Sequence, residues 1–361
     1  MRVAARVAGA AAGSAGPLRA SADGRESRRV STAPILELRG IVKRFSTELD
    51  LAARLLNLLG AGYRAETVHA VDGVDLTIRR GEVVGLVGES GCGKSTLARV
   101  IAGIHAPTDG RLFFEGSDVA AMEGRERARF VRKVQMIFQD PMSSLNPRKR
   151  VQDIIGEAPV VHGLVPASEA AAYVDDLLAQ VGLDSSYRRR LPHQFSGGQR
   201  QRIGIARALA VRPDVLVCDE AVAALDVSIQ AQILNLFADL KSRFDLTYLF
   251  VSHDLGVVHH LAERVVIMYL GRIVEVAPTA ELFREPNHPY AAALLQEVPR
   301  LDRRRRRFQP IKGELPSPLD PPKGCHFHPR CPHAMNRCRS EVPPLRRIAP
   351  DRWSACHLND G

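Results

Sequence analysis

Residues 88 to 96 read GESGCGKST, between the apolar run EVVGLV at 82–87 and the helical run LARVIAGI at 97–104. A strand that breaks into glycines and resumes as a helix points backbone N–H groups and a helix N-terminus at one spot, the arrangement that cradles phosphate. Gly88, Gly91 and Gly93 permit the turn, so that Glu89, Ser90, Cys92 and their neighbours present N–H groups to the ligand. Lys94 would neutralise the β and γ phosphates, and Ser95, with Thr96 beside it, would ligate Mg²⁺. The feature calls for a nucleoside triphosphate and for an α/β fold around a parallel sheet.

Other apolar runs support such a sheet: VQMIF at 134–138, VLVCD at 215–219 and TYLFV at 247–251. Each is bounded by loops and helical stretches, as strands covered on both faces require. Pro34 opens ILELRGIVKRF, whose alternation predicts an edge strand in a mixed sheet, and ELDLAARLLNLLG at 48–60 predicts an amphipathic helix ended by Gly60. Between 150 and 210 strand patterns give way to helical spacing, which predicts an inserted helical subdomain over about 141–201. RVVIMYLGRIVEVA at 264–277 predicts a hairpin turning at Leu270-Gly271. The expected division is an extension or mis-assigned start at 1–34, an ATPase domain at 35–283 and a separate C-terminal domain at 284–361.

Two carboxylates close the 215–219 run. Asp219 would hold the metal, directly or through water, and Glu220 would orient or deprotonate an attacking water. His253, after another apolar run, would reach the γ phosphate as a hydrogen-bond donor, and Gln139 would reach the Mg²⁺ or its water as a neutral, releasable ligand. A second glycine loop, FSGGQRQR at 195–202, has Ser196 placed as an N-cap of the following helix but has neither a Lys nor a preceding strand, so it cannot replace the first.

This combination resembles the ATP-binding cassette superfamily over about residues 35–283, with Phe195, Ser196, Gly197, Gly198 and Gln199 matching its signature loop and ALD at 224–226 contributing Asp226. The resemblance implies a RecA-like P-loop NTPase core with an antiparallel β subdomain and an inserted α-helical subdomain. It implies two cassettes joined head to tail, each signature loop closing over the ATP held by the other. The adenine-stacking aromatic would fall on Phe45, with Tyr63 as competitor. SSLNPR at 143–148, DEAVAALDVSIQAQIL at 219–234, NHPYAAALL at 287–295 and GELPSPLDPPKGCHFHPRCP at 313–332 look like the oligopeptide/dipeptide importer ATPases, closest to the second ATP-binding subunit. That likeness implies an ATPase at the cytoplasmic face of the inner membrane, paired with a sister ATPase under two permeases that receive cargo from an external binding protein. Nickel or another small solute is the alternative cargo. Ala221 and Ala223 stand where the family commonly has Pro and Ser, which implies looser communication between the two sites with hydrolysis retained.

The tail holds Cys325, Cys331, Cys338 and Cys356. Four thiolates suit a 4Fe-4S cluster or Zn²⁺ by charge and count, with reduced cysteines in a small Pro-rich fold as the plainer alternative. The importer resemblance favours iron–sulfur. For zinc, His326, His328, His333 and His357 are substitute ligands. Cys92 is a loop residue, and Cys218 a small core residue in a strand.

A charge of +10 on 361 residues lies largely in six Arg near the N-terminus and in RLDRRRRRF at 300–308. Without interleaved aromatics these read as solvated segments rather than a nucleic-acid groove, with an anionic membrane surface as a middle option. The N-terminal stretch reads as a disordered extension, with an organellar transit peptide as the alternative. No window reaches the roughly eighteen uninterrupted apolar residues of a membrane span. A soluble cassette ATPase acting on DNA or ribosomes is the competing class, opposed by the single cassette, the lack of a long coiled-coil insertion and the importer-type tail. An iron–sulfur redox protein switched by ATP is a third.

Overall fold

The computed structural model describes residues 33–47, 57, 66–140, 144–296 and 313–360. Nearly all of 1–34, the helix expected over 48–60 apart from Asn57, Tyr63 and the basic run at 300–308 fall outside these residues.

A four-stranded antiparallel sheet contains β1 (Pro34–Ser46), β2 (Thr67–Arg79), β4 (Asp109–Phe114) and β5 (Ser117–Asp118) in the order β2-β1-β4-β5. An eight-stranded sheet contains β3 (Val83–Val87), β6 (Val134–Ile137), β7 (Val215–Asp219), β8 (Thr247–Ser252), β9 (Arg264–Tyr269), β10 (Arg272–Pro278), β11 (Arg346–Ala349) and β12 (Arg352–Ser354). Its order is β11-β12-β10-β9-β3-β8-β7-β6, and the pairings from β9 to β6 are parallel. ILELRGIVKRF is therefore not an edge strand of a mixed sheet. β1 is central, paired on both sides by β2 and β4, because its alternate residues Leu36 and Leu38 face a core that both neighbours help to close.

β3, β7 and β8 are buried end to end, and alternate side chains of the parallel strands feed two cores. Val83, Val87, Tyr248, Phe250 and Ile267 point to one, beneath α5 (Gly197–Leu209), α6 (Val227–Phe244) and α7 (Leu255–Leu261). Val84, Leu86, Leu249, Val251 and Val266 point to the other, shared with the antiparallel sheet, α1 (Lys94–Ile101) and α2 (Gly124–Lys133). Burial on both faces explains why these strands read as continuous apolar runs. Between β6 and β7 the chain builds α3 (Val151–Val161), α4 (Ala170–Gln180) and α5, the helical insertion expected from the spacing.

The hairpin turns at Leu270 (φ 41°) and Gly271 (φ 82°), where two successive left-handed residues match the twist of β9 and β10. The tail continues this sheet: β12 pairs with β10 through Glu275↔Ser354 and Val276↔Trp353. Between them lie α8 (Thr279–Arg284) and α9 (Pro289–Gln296).

A polar knot fastens the tail. Fully buried Glu275 accepts the Asn287 N–H at 2.9 Å, the His288 N–H at 2.7 Å and an Arg352 Nη2 bond at 3.5 Å. Asn287 and Asn359 exchange side-chain amide bonds at 3.0 and 2.9 Å. Removing one partner of such a group strands the other in a dry site. Glu275→Ala is expected to destabilise the chain by about 3 kcal/mol, read by denaturant unfolding. Burial also depresses His288 from its usual 6.5 to about 4. The unfolded chain then binds the proton more readily, so stability is full above pH 6.5 and falls as pH drops toward 4. His288→Asn should flatten that part of a stability–pH curve.

Candidate nucleotide site

β3 ends at the middle of the parallel sheet's carboxyl edge, and residues 88–93 turn there into α1. Two glycines are dictated by contact. A Cβ on Gly93 (φ 106°) would stand 2.1 Å from the Ala70 carbonyl oxygen, and one on Gly88 would stand 2.2 Å from that of Met268. The loop is thus pressed against β2 on one side and β9 on the other. Lys94, 4% exposed, folds across it, its Nζ donating to the Gly88 and Glu89 carbonyls at 2.7 and 2.8 Å.

The neighbouring strands deliver the other groups to the same edge. Ser95 Oγ donates to Asp219 Oδ1 at 2.8 Å, joining the first turn of α1 to the end of β7. Burial raises the Asp219 carboxyl, while the Ser95 hydroxyl and the charges of Arg99 and Lys94 oppose the shift. Glu220 follows in the left-handed region at φ 48°, costly for a residue with a side chain and tolerated where structure on both sides enforces it. Its N–H is tied to the Val251 carbonyl at 3.0 Å. Its carboxylate accepts from Gln139 Nε2 at 2.5 Å and lies 3.1 Å from His253 Nδ1. Gln139, Glu220 and His253, each expected at a strand end, form one hydrogen-bonded row.

These groups border a cavity of about 300 Å³ lined by Ser90, Gly91, Gly93, Lys94, Ser95, Thr96, Gln139 and Glu220, together with Phe45. Phe45 is 39% exposed, so it is no core residue; it meets His105 edge-on at 5.6 Å, with the Lys43 ammonium 5.0 Å from its ring centre. Three loop residues do not line the cavity: Gly88 backs onto Met268, Cys92 is 1% exposed, and Glu89 turns toward the tail. Val68, Ala70 and Pro318 do line it, unforeseen from the sequence. Pro318 arrives from the tail, its carbonyl accepting the His69 N–H at 2.9 Å. Nothing in the stretch GELPSPLDPP signals this contact.

The signature loop does not reach this cavity. Ser196 and Gln199 form a reciprocal cap on α5, with Gln199 N–H to Ser196 Oγ at 3.4 Å and Ser196 N–H to Gln199 Oε1 at 3.0 Å. Gly197 and Gly198 pack against Leu225 and Ile229, and Asp226 precedes α6 on the same side. Phe195 is buried beneath them.

Cys325, Cys331, Cys338 and Cys356 line one small closed cavity with His328, His333, Met335 and His357, and none is in a disulfide. Burial, reinforced by the other three thiols, pushes Cys325 up to about 11; burial also raises Cys331 and Cys356. Among the described residues no three His, Cys, Asp or Glu side chains gather closely enough for a single metal ion. His326 Nδ1 donates to the Leu270 carbonyl at 2.8 Å, and His326 is no part of that lining. Cys218 is fully buried in β7, as expected of a core residue.

The sequence profile described as "ABC transporter" matches residues 71–223, and "Oligopeptide/dipeptide transporter, C-terminal region" matches 274–338. The oligopeptide transport ATP-binding protein AppF of Bacillus subtilis is 48% identical over 328 residues, covering 90% of this chain and 97% of the relative. The putative oligopeptide transport ATP-binding protein YkfD of the same organism is 50% identical, covering 82% and 91%. Among solved structures, the dimeric ATP-binding cassette MJ0796 bound to ADP and Pi superposes with a TM-score of 0.57 at 26% identity, covering 68% of this chain and 98% of that one. On this ground the chain belongs to the ABC transporter family, as an ATP-hydrolysing subunit of its oligopeptide/dipeptide branch.

Proposed function

We propose that the chain powers uptake of oligopeptides or dipeptides as one of two ATPases beneath a pair of membrane permeases. The observation that carries the reading is the separation of its two glycine loops: Ser90, Gly91 and Gly93–Thr96 border the cavity while Ser196–Gln199 stand outside it, so each is complete only with a second cassette. Identity of 48% to an oligopeptide transport ATP-binding protein across 90% of the chain supports peptide as cargo over nickel. The sister subunit is a homologous ATPase rather than a second copy, the site is the cytoplasmic membrane face, and an external binding protein delivers cargo to the permeases. No described helix is long and apolar enough to cross a membrane, so the permeases supply the passage.

In this reading the loop amides of Ser90–Lys94 and the Lys94 ammonium bind the β and γ phosphates, and Phe45 stacks on adenine. Mg²⁺, when bound with ATP, neutralises charge on the phosphate oxygens; Ser95 and Asp219, already joined at 2.8 Å, would hold it with Gln139 at its water. Glu220 orients water at the γ-phosphorus and takes its proton as the new O–P bond forms and the bond to the β–γ bridging oxygen breaks. His253 steadies the γ-phosphate. Gln139 and His253 hold the Glu220 carboxylate between them, so a shift of either is felt at the base. Ser196, Gly197 and Gly198 close on the sister's ATP, and Asp226 lies between the two sites. With the phosphate charge that bridges the halves released, the clamp opens.

Glu220→Gln should lower ATP turnover by at least about a hundredfold while retaining nucleotide binding. Affinity-purified from native membranes in Mg-ATP, it should carry a homologous ATPase and two permeases, identified by mass spectrometry. Ribosomal or DNA-repair proteins in their place would sink the transport reading.

For the tail, four thiols lining one closed cavity suit a 4Fe-4S cluster by charge and count, and Cys325, Cys331, Cys338 and Cys356 would hold it. It would act as a structural staple. Anaerobically purified protein should contain about four iron and four sulfide per chain and absorb near 400 nm, and Cys331→Ser should lose both. Stoichiometric zinc, or no metal, would refute the cluster.

A further inference from the structure

Glu89 stands inside the phosphate loop yet points away from the cavity, into the tail. Its carboxylate oxygens lie 2.9 and 3.0 Å from Nη1 of Arg330, whose side chain is only 6% exposed and which also reaches the Tyr269 hydroxyl at 3.4 Å. The Glu89 N–H donates to the hydroxyl of Tyr290, fully buried on α9, at 2.9 Å. The Glu89 carbonyl accepts Lys94 Nζ at 2.8 Å. Every polar group of this residue is therefore engaged, two of them by residues beyond β10. Behind the contact, Tyr269, Tyr290 and Phe327 pack ring against ring with centroids 4.6 to 5.4 Å apart, a rigid backing. Arg330 itself rides on a short 3-10 turn, His328–Arg330, strung between Cys325 and Cys331.

We propose that Arg330 is a positioning residue for the phosphate loop: the cysteine-bearing tail holds Glu89 from behind and so sets the chain's affinity for nucleotide. This rests on the nucleotide reading of the loop given above. Two effects act together. The charge-assisted pair fixes the corner from which Ser90 and Gly91 present their N–H groups. It also cancels a carboxylate that would otherwise repel the phosphates two residues further on. Arg330 touches no reacting atom, and its action passes entirely through Glu89.

The test uses the full chain, with MgADP affinity by isothermal titration calorimetry and the melting temperature of the nucleotide-free protein measured in parallel. Arg330→Met should weaken MgADP binding about tenfold, the worth of one buried charge-assisted contact. Arg330→Lys should recover most of the loss. Glu89→Gln, which removes the repulsive charge, should lose only about threefold, and the Glu89→Gln/Arg330→Met pair should bind better than Arg330→Met alone, because the unpaired carboxylate is gone. MgADP affinity within twofold of the parent in Arg330→Met, or losses that simply add in the double variant, would overturn the proposal even if the melting temperature falls. Lys94→Ala separates the two readings: if it binds MgADP normally, the phosphate-loop assignment fails, whereas its loss of binding beside an unaffected Arg330→Met fails the tail contact alone.

Discussion

Placement of β3 between β8 and β9 governs the rest of the molecule. A parallel strand buried on both faces has its carboxyl end in the middle of the sheet, where the chain must cross from one neighbour to the other and a crevice opens. The glycine loop leaves β3 there, Asp219 and Glu220 leave β7, and His253 leaves β8. With strands about 4.8 Å apart, three such ends lie within reach of one triphosphate. The contacts of Gly88 with Met268 and of Gly93 with Ala70 then leave the loop one course to follow. A sheet flipped in order would scatter these groups although each would still end its own strand.

The same sheet explains how a Pro- and Cys-rich tail becomes part of an ATPase. The tail pairs its β12 with β10 and gives the Glu275 carboxylate of β10 two backbone N–H groups and Arg352 as partners. Fastened there, it extends in two directions, with Pro318 at the rim of the nucleotide cavity and Arg330 behind the phosphate loop. The wall of that cavity thus belongs partly to the tail.

Much of this was legible beforehand because it depends on local order. The runs at 215–219 and 247–251, the turn at Leu270-Gly271 and the Ser196 cap were readable, since burial on two faces, successive left-handed residues and a short polar cap each leave a mark within a few residues. β1 was placed wrongly at an edge, because alternation reports that one face is buried but not how many neighbours a strand has. Glu89 reads from the sequence as one more residue of the glycine loop, yet its side chain faces the tail. Its partner lies 241 residues off, a separation across which no periodicity carries information.

The sequence by itself determined the chemistry of each segment: a glycine loop with Lys94 and Ser95, acidic residues closing an apolar run, a second glycine loop lacking the lysine, four cysteines at the end. Those follow from residue type and short spacing, which act through backbone conformation and side-chain charge over one or two turns. Only the tertiary structure decided which segments meet: that Gln139 and His253 share the Glu220 carboxylate, that Phe45 faces the cavity, that Ser196 does not, and that Arg330 holds Glu89. Strand order and the burial of one surface against another decide such meetings, and both are properties of the whole chain's packing rather than of any stretch within it.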